Sequence, residues 1–202
     1  NFNEGKLNSG VSRHASRDLT DMVMTELQQD ISARYGRQWN RRGMWNRNYS
    51  ETRLPAVPSM ILEILSHQNF ADMRMGHEPD FKFTVARSVY KAILKHTATM
   101  HGTGYVVQPL PVTRFAIKEG SKHTFRLSWQ GVVDPQEPTA HPRGYIVYTR
   151  LGHGGWDNGT YVKDNYYTFQ AEPGLVYSFK VSAVNKGGES FPSEILSAYH
   201  AK

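Results

Sequence analysis

Cysteine is absent from the 202 residues. Its absence excludes a disulfide framework, a cysteine nucleophile and a thiolate metal site. It leaves the compartment open, because envelope proteins also do without cysteine. No apolar run approaches the roughly 18 residues that a membrane-spanning helix needs. No Lys/Arg block is long enough to act as a nucleic-acid arm. The balance of 24 basic against 18 acidic residues, a net charge of +6, is only a mild bias toward anionic surfaces. Asn1–Lys6 holds neither an initiator Met nor the apolar stretch of a signal peptide, so the chain is expected to be a processed product or an excised piece. What is present suffices for a core. Hydrophobic residues make up 39% and aromatics 12%, the composition of a folded chain, and the length predicts one or two domains.

Two halves follow different patterns. In the first, Leu19, Met22, Val23, Leu27, Ile31 and Tyr35 recur at helical spacing. Asp18 and Asp21 stand near the start of this helix, where negative charge suits the dipole, and Gly36 stands where a helix-ending glycine belongs. Next comes a polar stretch bearing Arg37, Arg41, Arg42 and Arg47 with Trp39 and Trp45. Val57–Leu65 is short and nearly all apolar, which reads as a strand buried on both faces. From about Asp80 another helix is predicted, with Phe81, Val85, Val89, Ile93 and Leu94 on one face, fading at His96–Ala98. Helices around a buried strand imply an α/β layered domain over residues 1–108. Beyond Gln108-Pro109-Leu110-Pro111 the period becomes two: Phe125, Leu127 and Trp129, then Tyr145, Val147 and Thr149, then Tyr177, Phe179, Val181 and Ala183. Short alternating runs between turn residues predict an all-β sandwich over 109–202.

Glu63 is the single charge in Val57–Leu65. A buried carboxylate is costly unless it is paired or does chemistry. The alternative is a strand-end glutamate that meets solvent or an arginine such as Arg53. The arginine and tryptophan stretch has two readings as well. The Arg34–Arg47 cluster with Tyr35, Trp39 and Trp45 could clamp an anionic glycan or stack on sugars or bases, or the tryptophans could anchor a solvated loop. Gly152–Gly159, with His153 and Trp156, reads as a hairpin tip. The nine histidines form no H-x-x-x-H or H-E-x-x-H pair, so no zinc motif is present.

The run from Tyr177 through Asn185-Lys186-Gly187-Gly188 to Pro192-Ser193, with Trp129 and Tyr145–Tyr148 before it, resembles a fibronectin type III domain. That resemblance makes Trp129 the plug between two sheets and Tyr177 a corner tyrosine whose hydroxyl bonds back to the chain. It implies a spacer or packing role.

Pro58–Ser66, followed by Asn69 and an apolar helix, resembles the closing part of zinc-dependent N-acetylmuramoyl-L-alanine amidases, with the Ser16–Tyr35 helix in the matching place upstream. This resemblance covers about residues 10–100. It implies a partial three-layer α/β domain, zinc, and Glu63 as the general acid/base. Ile64-Leu65 and His67-Gln68 depart from the family pattern. The zinc ligands of that family precede the first helix and are not expected in this chain. Ala15–Asp21, Arg41–Asn46 and Leu65–Arg74 are similar to large secreted proteins of gut bacteria that join such a domain to fibronectin type III domains, some labelled xanthan lyase. The implied partners are peptidoglycan or another glycan and the upstream remainder of the same protein. The implied place is secreted, periplasmic or on the cell surface. Glu63, Arg41, Arg42 and Trp45 are the expected site residues, with no metal ligand. The competing expectation is a non-catalytic envelope or glycan-binding piece.

Overall fold

The computed structural model describes residues 5–36 and 38–201. The start Asn1–Glu4 and Arg37 of the basic stretch, both used above, lie outside the described residues. The chain divides into two compact units, 1–104 and 105–202. The division falls a few residues before the Gln108–Pro111 stretch. Val107 is wholly buried, and its backbone is held by Thr139 and Asn185 of the second unit.

The first unit is helical, with α1 (His14–Tyr35), α2 (Ser50–Arg53), α3 (Phe70–His77) and α4 (Pro79–His101). In α1 the predicted face Leu19, Val23, Leu27 and Ile31 is buried. Each such side chain contributes about 1.5–3 kcal/mol relative to exposure. Because α1 starts at His14, its first turn carries no acid, and Asp18 falls beyond the strongest reach of the dipole. Gly36 ends the helix at φ 65°, its N–H donating to the Ser32 carbonyl. Pro79 opens α4 with the φ its ring imposes. The helix runs past the predicted fade to His101, because His96 is buried with its ring 3.0 Å from the Ala15 carbonyl. Helix α3 is not among the elements predicted from the sequence. Asn69 caps it, accepting from the amides of Ala71 and Asp72, which satisfies two of the orphan donors of a helix start.

Between α1 and α4 the core contains a charge network. Lys91 is 1% exposed. Its Nζ donates to Asp30 at 2.7 Å and lies 3.3 Å from Glu26. Lys95 donates to Glu26, and Ser88 donates to Asp30. Two acids against two lysines leave the network neutral. The ammonium is tolerable there because two carboxylates meet it at close range.

The predicted strand is corrected. Val57–Leu65 is extended but belongs to no sheet, and strand pairing among the described residues of this unit is a single bridge between Lys6 and Ser12. A strand is defined by its neighbours' hydrogen bonds, and none of the described residues supplies them. Nor is the segment buried on both faces. Met60, Leu62 and Ile64 pack on the α1/α4 core, while Ile61 and Glu63 on the opposite face are exposed. Glu63 is therefore not a buried carboxylate.

The second unit is the expected β-sandwich. One sheet has the order β1 (Thr113–Glu119), β2 (Thr124–Gln130), β5 (Tyr166–Gln170). The other runs β4 (Thr160–Val162), β3 (Gly144–Leu151), β6 (Val176–Asn185), β7 (Gly188–Glu189), with β8 (Leu196–Tyr199) also on β6. Phe125, Leu127 and Trp129 meet Val147, Phe179, Val181 and Ala183 between the sheets. Trp129 stands edge-on to Tyr145 at 5.3 Å. The Tyr177 hydroxyl accepts from the Glu172 amide, as a corner tyrosine does. Ser178 and Ser182, predicted to alternate outward, are buried because β6 is a central strand. Gly187 has no substitute, since a Cβ there would run into the Val106 carbonyl.

Lys91→Ala leaves Asp30 without its lysine and weakens Glu26. The expected loss is about 3–5 kcal/mol of stability in urea unfolding. Replacing Lys91, Glu26 and Asp30 together by Met, Leu and Leu is expected to recover most of it.

Candidate active and binding site

Three walls enclose a cavity of about 610 Å³ in the first unit, within the range of small-molecule sites, roughly 300–1,000 Å³. Ser16, Thr20 and Met24 come from α1, four residues apart and so on one face. The second wall is the loop and short helix that contribute Arg42, Trp45, Arg47, Tyr49 and Thr52, and the third is Ser59–Glu63. Ser59 joins the walls, its N–H donating to the Ser16 hydroxyl and its own hydroxyl donating to the Thr52 carbonyl.

Three of the four predicted site residues meet here. Trp45 is 62% exposed and carries the guanidinium of Arg42 at 5.8 Å and that of Arg47 at 5.1 Å. This is a flat aromatic surface flanked by two cations, each contact being worth about 0.5–1 kcal/mol at such exposure. Glu63 lies on the outward face of its segment. Among the described residues no hydrogen bond or ion pair engages it, so the pairing with Arg53 does not occur. Arg41 is not part of this lining. It is pinned to α1, in an ion pair with Asp21 and a 2.9 Å hydrogen bond to Thr25. The two tryptophans also separate. Trp39 packs on the core against Phe81 at 5.8 Å, the anchoring role, while Trp45 faces the cavity.

The amidase resemblance implies zinc. The cavity lining offers one carboxylate and no imidazole. Among the described residues no group of three His, Cys, Asp or Glu side chains could hold a metal ion. These residues do not by themselves fit a zinc centre. Their chemistry is that of a carboxylate facing water beside an arginine-flanked indole. Ser16, Thr20 and Tyr49 were missed from the sequence. The signal for the first two was the spacing of four along a helix whose apolar face was already assigned.

In the second unit Gly152–Gly159 does connect two paired strands, β3 and β4. Asp157 closes the turn by accepting from the amides of Thr149 and Gly159. Trp156 is half-buried and carries Arg150 at 4.8 Å and Lys180 at 4.5 Å over its ring, so it does not stand exposed for a sugar. Next to it, Lys180 lies 5.1 Å above Tyr148, whose hydroxyl donates to Glu189 at 2.8 Å. Burial first, then the bond to the Glu189 carboxylate and its charge, push the Tyr148 phenol up to about 12.

Residues 110–199 match the fibronectin type III domain family, so the second unit contains a fibronectin type III domain. No family match covers the first unit. Among solved structures the chain is similar to the twitchin kinase region from C. elegans, at 23% identity over 46% of this chain and 17% of that one, with a TM-score of 0.41. It is similar to the chicken CNTN1 FN1–FN3 domains at 19% identity over 50% of this chain and 34% of that one, with a TM-score of 0.42. It is also similar to the third fibronectin III domain of human KIAA0343 protein, at 14% identity over 49% and 87% of the two chains, with a TM-score of 0.41. The chain spans 17% of the twitchin chain and 34% of the chicken one. No curated protein matches it.

The raised Tyr148 phenol has a signed consequence. Its neutral form is favoured in the folded state, so its contribution to stability is complete below about pH 10 and is lost as the pH rises toward 12. Alkaline titration of tyrosinate absorbance is expected to show Tyr148 ionising late. Glu189→Gln should move that step down without returning it fully, since burial acts first.

Proposed function

We propose that the first unit forms the glutamate-bearing side of a cell-wall hydrolase site of the N-acetylmuramoyl-L-alanine amidase type, and that the fibronectin type III domain serves as its spacer. The observation that carries this reading is the shared cavity. Glu63 lies in one lining with Arg42 and Trp45, which come from a separate stretch of the sequence. The Pro58–Ser66 segment that resembles the amidase closing strand supports it.

In this reading the ligand is a glycopeptide of peptidoglycan. Trp45 offers its ring face to a sugar, and Arg42 and Arg47 meet peptide carboxylates, the charge and planarity that guanidinium suits. Glu63 takes a proton from the attacking water as its oxygen bonds to the amide carbon. It returns that proton to the nitrogen as the C–N bond breaks. The imidazoles of a metal centre would come from the remainder of the same protein, at the cell surface or in the periplasm. Arg41, held by Asp21 and Thr25, keeps the loop on α1 and has no substrate role.

A second reading, a non-catalytic glycan-binding unit, is favoured by one observation: the cavity lining has no imidazole and no second carboxylate.

Calorimetric titration of the chain with a soluble disaccharide-peptide tests the shared premise. Arg42→Ala and Trp45→Ala are each expected to weaken binding by roughly tenfold, with Glu63→Gln binding within a few-fold of the parent. In the longer protein that contains this chain, Glu63→Gln should lower hydrolysis by about 10²–10⁴-fold. Hydrolysis within tenfold of the parent would leave only the binding reading, and absence of binding would remove both.

A further inference from the structure

The fold brings two histidines together from opposite ends of the second unit. His123, in the turn between β1 and β2, and His200, just past β8, are 77 residues apart in sequence, and their Nδ1 atoms lie 3.4 Å apart. A third lone-pair atom lies beside them: the Ala201 carbonyl oxygen is 3.1 Å from His200 Nδ1. Two ligands bound at 2.0–2.1 Å on a tetrahedral zinc are separated by about 3.3 Å. Both measured edges are close to that spacing.

The surroundings fit a ligand pair better than a chance contact. His200 Nε2 is 3.2 Å from a Glu119 oxygen. A carboxylate on the far nitrogen of an imidazole holds a proton there and presents the near nitrogen with its lone pair, which is how protein carboxylates orient metal-binding histidines. The His200 ring rests against Phe125 at 6.1 Å, and its side chain is 15% exposed. His123 sits at φ 60°, following Lys122 at φ 56°. Tight hairpin turns place both central residues at positive φ, and the turn between β1 and β2 is such a place. The His123 carbonyl is fixed by hydrogen bonds from the Ala171 amide and the Gln170 side chain. The His123 side chain is exposed, so the remaining coordination positions open to water.

We propose that His123 Nδ1, His200 Nδ1 and the Ala201 carbonyl form a binding site for a divalent transition cation of the zinc type, with Glu119 as the positioning carboxylate. Two imidazoles, one carbonyl and water suit a borderline-soft ion and not magnesium. The site contains only two side-chain ligands, so it lies outside the clusters of three that structural zinc sites use, and its affinity is expected in the micromolar range. Its consequence is mechanical: a cation there ties the end of β8 to the β1–β2 turn. It is independent of the cavity in the first unit and of the reading of Glu63.

Titrating the 202-residue chain with zinc chloride by calorimetry, with ¹⁵N spectra of the imidazoles, tests the proposal. The expected result is one saturable site per chain, with the His123 and His200 resonances shifting together. Affinity should fall at least tenfold in His123→Asn and in His200→Gln, stay unchanged in His153→Gln, and show no counterpart with magnesium chloride. Asparagine tolerates the left-handed region, so His123→Asn keeps the turn and decides the matter even if His200→Gln unfolds. No saturable zinc binding, or zinc binding that persists in folded His123→Asn, would overturn the assignment.

Discussion

The buried ammonium of Lys91 is the constraint on which the first unit depends. A cation at 1% exposure is stable only where carboxylates meet it in good geometry, so Asp30 and Glu26 of α1 must stand opposite Lys91 of α4. That requirement sets the register of the two helices. An apolar interface alone would tolerate small slides; a charged one does not. With the register set, Val23, Leu27, Ile31, Phe81 and Ala92 form one surface. Met60, Leu62 and Ile64 lie down on it. Because side chains alternate along an extended chain, seating those three turns Ile61 and Glu63 outward. The orientation of Glu63 therefore follows from a charge network in which it takes no part.

The cavity arises where the polar flank of α1 faces this outward side. Its chemistry is divided among segments with different anchoring. Arg41 and Trp39 are held by α1 and the core, through Asp21, Thr25 and Phe81. Arg42 and Trp45 are left to face the opening. Adjacent arginines thus have different surroundings, one bonded to α1 and one lining the cavity, and their sequence context does not distinguish them. The same sorting of aromatic residues occurs in the second unit. Trp156 is covered by cations of β3 and β6, so a loop tryptophan that looked available is part of the sheet surface.

The sandwich was legible in detail because its determinants are local or periodic. Alternation placed Phe125, Leu127 and Trp129 inward, and the fibronectin type III resemblance gave Tyr177 its corner role. The helices were legible for the same reason, with Gly36 marking the end of the first. The segment Val57–Leu65 was not. Its composition describes what a neighbour would have to cover, but sheet formation belongs to the pair and not to the strand. Without a pairing segment among the described residues, the apolar run settles one face on helices and leaves the other in contact with the cavity.

By itself, then, the sequence determined the two long helices and the sandwich core, since hydrophobic period and turn chemistry act over a few residues. It also singled out Glu63 and Trp45 as residues whose chemistry exceeds what packing needs. Only the tertiary structure decided that Glu63 is exposed, that Arg41 is withdrawn while Arg42 stays, that Lys91 is buried, and that His123 and His200 face each other. These are outcomes of long-range contact. A side chain's partner, and so its charge environment and accessibility, depends on which distant segment the fold brings to it, and one-dimensional spacing carries no record of that distance.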